Sequence, residues 1–121
     1  MAYESILVVD DSPTELQLIT TPLRSQGYRI SVARNGEEAL RKAAAEQPDL
    51  IVLDIIMPKP NGFQVCRKLK RQEDTSDIKI LFLSSKDQAS DKAWGLRQGA
   101  DGYLTKPFDE KELLVSVAQL L

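Results

Sequence analysis

Polar groups at the ends of short apolar runs carry most of the chemistry available to this chain. Ile6-Leu7-Val8-Val9 runs into Asp10-Asp11, and Leu50-Ile51-Val52-Leu53 runs into Asp54. Ile80-Leu81-Phe82-Leu83 runs into Ser84, and Tyr103-Leu104-Thr105 into Lys106-Pro107. Three carboxylates, a hydroxyl and an ammonium gathered on one edge suit a hard divalent cation beside a carboxylate that can accept a phosphoryl group. Asp10 and Asp11 diverge from a strand end, so both can reach one cation, one of them through water. Mg2+ fits, because it keeps several waters and takes one or two carboxylates plus phosphate oxygens. Asp54 on a neighbouring strand adds a third carboxylate, and the backbone carbonyl of Ile56 is a further candidate ligand. Taken alone, Asp11 is also readable as a helix cap or turn former; the convergence of the whole set is what points to a metal.

Asp54 is the candidate nucleophile. A carboxylate with the ordinary pKa of about 3.9 is ionised at neutral pH and needs no base. Lys106 supplies a second cation for phosphoryl oxygens, and Pro107 after it allows a cis bond. Ser84 offers a hydroxyl that can bond a phosphoryl oxygen once one is attached, drawing the loop Ser85-Lys86-Asp87 inward. Tyr103 can then exchange exposed and packed positions. A new charge of about −1.5 to −2 is a strong driver for such a rearrangement.

These groups meet only if the apolar runs lie parallel with their carboxyl ends on one edge, where open α/β sheets bind ligands. The intervening segments read as helices. Ser12-Pro13-Thr14-Glu15 is a capping box with proline at the first helical position, and Gly27 closes that helix. Pro22 inside it removes a bond to the Leu18 carbonyl and should kink or tighten the last turn. Tyr28 to Ala33 alternates like an edge or half-buried strand. Asn35-Gly36-Glu37-Glu38 caps a helix that stops before Pro48. Met57-Pro58-Lys59-Pro60-Asn61-Gly62 reads as a rigid loop ending in a turn dipeptide. Helices follow around Phe63, Val65, Cys66 and Leu69, from Asp91 to Gln98, and from Asp109 with Glu112 three residues on. Five strands alternating with five helices mean a parallel sheet, doubly wound, with helices on both faces.

At 121 residues, 42% hydrophobic and 28% charged, the chain reads as one domain over residues 1–121 that can bury its own core. No apolar stretch nears the roughly 20 residues of a membrane span. Met1-Ala2-Tyr3-Glu4-Ser5 shows neither a basic nor a long apolar leader, so the cytoplasm is the expected compartment. The net charge is −2 with lysine and arginine scattered, which gives no reason to expect nucleic acid. Cys66, the only cysteine, cannot form an internal disulfide and reads as a small buried hydrophobe. With no histidine, a Ser-His triad, a His-ligated metal and a phosphohistidine donor are all excluded.

The constellation Asp10-Asp11, Asp54, Ser84 and Lys106-Pro107-Phe108 resembles the receiver domain of two-component response regulators, over essentially the whole chain. The resemblance implies a flavodoxin-like (βα)5 fold with strand order 2-1-3-4-5. It matches Asp54 to the phosphoacceptor, and Asp10, Asp11, Asp54 and the Ile56 carbonyl to the Mg2+ site. Ser84 matches the switch hydroxyl, Lys106 the phosphate-pairing lysine and Tyr103 the switch aromatic. It also implies a histidine kinase as phosphodonor and a downstream protein on the face formed by the fourth helix, fifth strand and fifth helix. A monomer without nucleic-acid or membrane contacts is expected. Asp11-Ser12-Pro13-Thr14-Glu15, Ser85-Lys86-Asp87-Gln88 and the stretch from Asp91 to Pro107 are similar to stand-alone receivers of type IV pilus, chemotaxis-like twitching systems.

Some positions depart from the commonest receiver pattern. Ser85 stands where alanine or glycine is usual. Ile56 and Lys86 flank the route of an attacking water, and apolar Ile56 should slow hydrolysis. Asn61-Gly62 replaces a more frequent Asp-Gly turn. Trp94, the only tryptophan, suits either the core or an exposed partner face. The leading expectation is a phosphoacceptor switch whose catalysis is limited to its own phosphotransfer and dephosphorylation. The competing expectations are a phosphate sink for a shared kinase, a Mg2+-dependent aspartyl-phosphate phosphohydrolase, and a scaffold receiver that takes no phosphate.

Overall fold

The computed structural model describes residues 4–121, so Met1, Ala2 and Tyr3 of the leader reading lie outside the described residues. The elements run β1 (Ser5–Val9), α1 (Pro13–Ser25), β2 (Arg29–Ala33), α2 (Gly36–Glu46) and β3 (Leu50–Leu53). They continue with α3 (Gly62–Arg71), β4 (Lys79–Ser84), α4 (Ala89–Arg97), β5 (Gly102–Thr105) and α5 (Glu110–Leu120). All strand pairs are parallel, in the order β2-β1-β3-β4-β5. The expected flavodoxin-like arrangement is therefore the observed one.

Alternation along the strands explains the two cores. Ile6 and Val8 point to one face, Leu7 and Val9 to the other. The first pair joins Leu50, Val52, Leu81 and Leu83 under Leu16, Ile19 and Leu23 of α1 and Leu113 and Val117 of α5. The second pair joins Ile51, Leu53, Ile80 and Phe82 under Ala39 and Ala43 of α2 and Val65, Cys66 and Leu69 of α3. Because both faces are covered, the inner strands read as unbroken apolar runs. Cys66 is buried in this second core as expected, and burial pushes its thiol up to about 12.

Local chemistry sets the ends of the helices. In α1, Pro22 is buried and the helix continues past it to Ser25. The last turn tightens: Gln26 N–H donates to Leu23 O and Gly27 N–H to Arg24 O, both one residue short of the α spacing. Asn61, expected in a turn, is the N-cap of α3, with reciprocal bonds to Gln64. Asparagine and aspartate both cap well, so asparagine in place of the more frequent aspartate keeps the cap. The Asp91 carboxylate accepts from Gln88 N–H, so α4 begins two residues before the expected start at Asp91. Asp109 and Glu112 close the expected box on α5. Among the described residues, no helix is long and apolar enough to cross a membrane.

Candidate functional site

The register of the strands brings the polar ends together. Val9 pairs with Leu53, so Asp10 and Asp54 leave the sheet side by side. Asp54 N–H donates to Val9 O at 3.0 Å, continuing the ladder one residue past the strand. Asp10 is 1% exposed and Asp54 6%, while Asp11 faces solvent. Each of the three offers a carboxylate oxygen within 4.8 Å of the others. Gly62 fixes the far wall: a methyl there would meet Asp54 O at 2.2 Å and Ile55 Cα at 2.6 Å. Only glycine lets α3 begin against the backbone of the candidate nucleophile.

Lys106 lies among three carboxylates, from the end of β1, from α1 and from the end of β3. Its Nζ is 2.9 Å from Asp10 Oδ2, 3.6 Å from Glu15 Oε2 and 3.9 Å from Asp54 Oδ2. Its N–H donates to Ser84 O at 2.8 Å, which ties the Lys106 backbone to the end of β4. The bond to Pro107 is cis as expected; Lys59–Pro60 is also cis, which was not expected. Burial alone would lower the Lys106 ammonium, but the bond to Asp10 and the charges of Asp54, Asp10 and Glu15 outweigh it and hold the pKa above its ordinary value. Burial pushes the Asp54 carboxyl up from 3.8 to about 6, against Lys106 and with help from Asp10.

Glu15 is the residue that sequence reasoning misassigned. Half of its capping box forms, with Glu15 N–H donating to Ser12 Oγ at 3.3 Å. The other half is pre-empted, because Ser12 N–H already donates to Asp10 Oδ1 at 3.0 Å. The Glu15 carboxylate is thereby released toward Lys106. A cleft of about 780 Å³ opens beside this pair, walled by Leu18 and Pro22 of α1 and by Pro107 and Phe108.

Ser84 and Tyr103 act on one residue from two sides. Ser84 Oγ accepts from Lys86 N–H at 3.3 Å, and Tyr103 Oη donates to Lys86 O at 2.6 Å. Ser84 is fully buried. Tyr103 is half-buried against Phe82 at a ring distance of 6.0 Å. Burial and the charges of Asp91, Asp54 and Asp87 push its phenol up to about 12. Ile56, two residues after Asp54, has its N–H on Asp54 Oδ1 at 3.4 Å and is 52% exposed. Trp94 is 47% exposed on α4, where Gly95 alone is buried, against Phe82 and Tyr103.

The donor set suits a hard cation. The three carboxylates, with Glu15 a fourth beside Lys106, outnumber the single ammonium and leave an excess of negative charge. A divalent ion with oxygen ligands neutralises that excess.

The profile of the response regulator receiver domain matches residues 6–118. The chain belongs to this family. Protein PilH of Pseudomonas aeruginosa is 46% identical over 116 residues, 96% of each chain. The DNA-binding dual master transcriptional regulator RpaA of a Synechocystis species is 45% identical over 116 residues, and the match spans only 48% of that longer protein. Among solved structures, the Vibrio cholerae chemotaxis protein CheY4 superposes with a TM-score of 0.93 at 33% identity, covering 99% of this chain and all of the other. The receiver domain of a Francisella response regulator gives 0.90 at 35%, covering 97% and 95%. Receivers are switches in two-component signalling: a histidine kinase is their phosphodonor, a downstream target reads them, and an acidic cluster holds Mg2+. In this receiver, Asp10, Asp11 and Asp54 form such a cluster.

Proposed function

We propose that this receiver accepts a phosphoryl group from a histidine kinase onto Asp54 and signals through its α4–β5–α5 face, in the control of pilus-based motility or taxis. The observation that carries the reading is the Asp10–Asp11–Asp54 cluster with Lys106 bridging Asp10 and Asp54. Asp10, Asp11, Asp54 and the Ile56 carbonyl would hold Mg2+, which when bound neutralises phosphoryl oxygens during in-line transfer. Asp54 attacks phosphorus as the nitrogen–phosphorus bond of the donor breaks. The electron pair stays on the imidazole, which takes up a proton, and Asp54 becomes an acyl phosphate.

The remaining residues respond to the new charge. Lys106 exchanges its contact with Asp10 for a phosphoryl oxygen. The Ser84 hydroxyl now accepts from Lys86, so its own proton is available to donate to another phosphoryl oxygen. Moving Lys86 toward the phosphate disturbs the bond that its carbonyl receives from Tyr103. Tyr103 packs beside Gly95 of α4, so its displacement alters the face that carries Trp94. The reading treats residues 1–121 as one cytoplasmic, monomeric switch without nucleic-acid or membrane contacts. The position two residues after the nucleophile is Ile56, which offers no acid or base and disfavours turnover of external phosphate esters.

The test is incubation with Mg2+ and acetyl phosphate followed by intact mass, with Asp54→Ala alongside. A single phosphoryl addition that is lost in Asp54→Ala and persists for many minutes supports an output switch. Loss within seconds replaces that reading with a phosphate sink. No labelling, with a histidine kinase also supplied, overturns phosphoacceptance.

A further inference from the structure

The outward face of α3 carries charges that nothing nearby answers. Gln64, Arg67, Lys68 and Arg71 fall at helical spacings of three and four and form one stripe. With Lys59 and Pro60 of the preceding loop they line a groove of about 500 Å³ that no carboxylate lines. All four cations are exposed, and among the described residues none of them forms an ion pair. The other lysine of this helix, Lys70, is used internally: its ammonium caps Ile78 O at 2.7 Å and pairs with Asp101 at 3.1 Å.

This arrangement costs stability locally. Arg67–Arg71 and Lys68–Arg71 are like-charge pairs at the spacings where opposite charges would each stabilise by about 0.2–0.5 kcal/mol. Neighbouring α2 takes the other course, joining Glu38 and Lys42 at 3.3 Å. Favourable interaction with the carboxyl end of the helix accounts for Lys68 and Arg71 in the last turn. It does not account for Arg67, nor for Lys59, which precedes the helix. The groove is also held in place: Pro60 sits against the start of α2, where a methyl on Gly36 would meet Pro60 O at 2.3 Å.

We propose that this groove docks a short acidic segment of a partner protein, with Arg67, Lys68, Arg71 and Lys59 pairing its carboxylates. The size and chemistry select that occupant. From Gln64 to Arg71 the helix rises about 10 Å, the length of three or four extended residues. A nucleic acid would extend well beyond four cations into the field of a chain whose net charge is −2. Apart from Pro60 the lining holds no apolar side chain to enter a lipid surface. The groove shares no lining residue with the Asp10–Asp11–Asp54–Lys106 cluster or with α4–β5–α5, so its test is independent of phosphoacceptance at Asp54.

The experiment is fluorescence anisotropy with a labelled peptide of four consecutive glutamates flanked by glycine and serine. A peptide with glutamines in their place, a single-stranded oligonucleotide and phosphatidylserine-containing vesicles are measured in parallel. The glutamate peptide binds best, and its affinity falls as salt rises and the charges are screened. Arg67→Glu with Arg71→Glu reduces binding about tenfold, while labelling of Asp54 by acetyl phosphate continues. Arg67→Gln with Arg71→Gln gives a smaller loss in the same direction without introducing acid near the helix end. Equal binding of the glutamine peptide, tighter binding of the oligonucleotide or vesicles, or an unchanged affinity in both double variants overturns the proposal.

Discussion

Replacing Asp54 with asparagine should make the metal-free receiver more stable, and by an amount that depends on pH. In the folded chain the Asp54 carboxyl is raised from 3.8 to about 6, chiefly by burial. At about 1.4 kcal/mol per pKa unit, ionised Asp54 costs the fold about 3 kcal/mol. The folded state binds this proton more tightly than the unfolded one. The contribution of a protonated Asp54 is therefore fully present below pH 3.8 and is lost as pH rises through about 6. Asparagine never ionises, still offers an oxygen to Ile56 N–H, and leaves Lys106 with its shorter partner Asp10 at 2.9 Å. After allowance for the weakened Lys106 contact, Asp54→Asn should gain about 2 kcal/mol at about pH 8 and far less near pH 4. Urea unfolding in EDTA across that range measures the gap directly. Saturating Mg2+ should then narrow it, because an ion that binds only the folded wild type stabilises that chain alone. A gap that stays constant from about pH 5 to pH 8, or a variant less stable than wild type at the alkaline end, refutes the assignment of a strained, buried carboxylate.

Other substitutions test the parts separately. Glu15→Gln removes one of three anions from Lys106 and should speed labelling by acetyl phosphate about twofold, the scale of a partly exposed ion pair; slower labelling would mean that Glu15 helps the transfer. Ile56→Asn places an amide beside Asp54 that can orient water, and one such hydrogen bond should shorten the phosphoryl lifetime about fivefold. An unchanged lifetime removes Ile56 from control of hydrolysis. Trp94→Ala should weaken binding of the phosphorylated receiver to its target about tenfold with Asp54 still labelled; equal affinity in titrations retires Trp94 as an anchor. Gly62→Ala should cost about 2 kcal/mol in chemical denaturation despite alanine's helix preference, because its methyl meets the Asp54 backbone.

What the sequence made legible was whatever repeats locally or ends a repeat. Leu50 to Leu53 is apolar at every position because both faces of β3 are covered, and Asp54 stands out because it breaks that run. The same logic exposes Asp10, Ser84 and Lys106, so fold and cluster follow from one pattern. Contacts between elements were less accessible. Ser12 to Glu15 has the spacing of a full capping box, yet the Asp10 carboxylate two residues upstream takes Ser12 N–H, and Glu15 turns to a lysine 91 positions later in the chain. The sequence places the Lys86 side chain beside the route of an attacking water, but nothing in it signals that the Lys86 backbone is held on one side by Ser84 and on the other by Tyr103.

That double attachment has a consequence for how the switch divides its energy. Each bond to Lys86 contributes about 1 kcal/mol net, so the loop between β4 and α4 is held by little more than thermal energy on either side. Under the proposed function, a phosphoryl group on Asp54 would not have to break a rigid structure to recruit Ser84; it would only have to offer the hydroxyl proton a better acceptor and pull Lys86 with it. The phenol of Tyr103 then loses its acceptor while half-buried against Phe82, where an unsatisfied hydroxyl costs about 1–3 kcal/mol. Relief comes either from a new partner inside or from rotation toward solvent, and both change the packing beside Gly95. Sequence alone identifies Ser84 and Tyr103 as candidates; under the proposed function, their shared hold on Lys86 is the route by which a charge at Asp54 would reach α4.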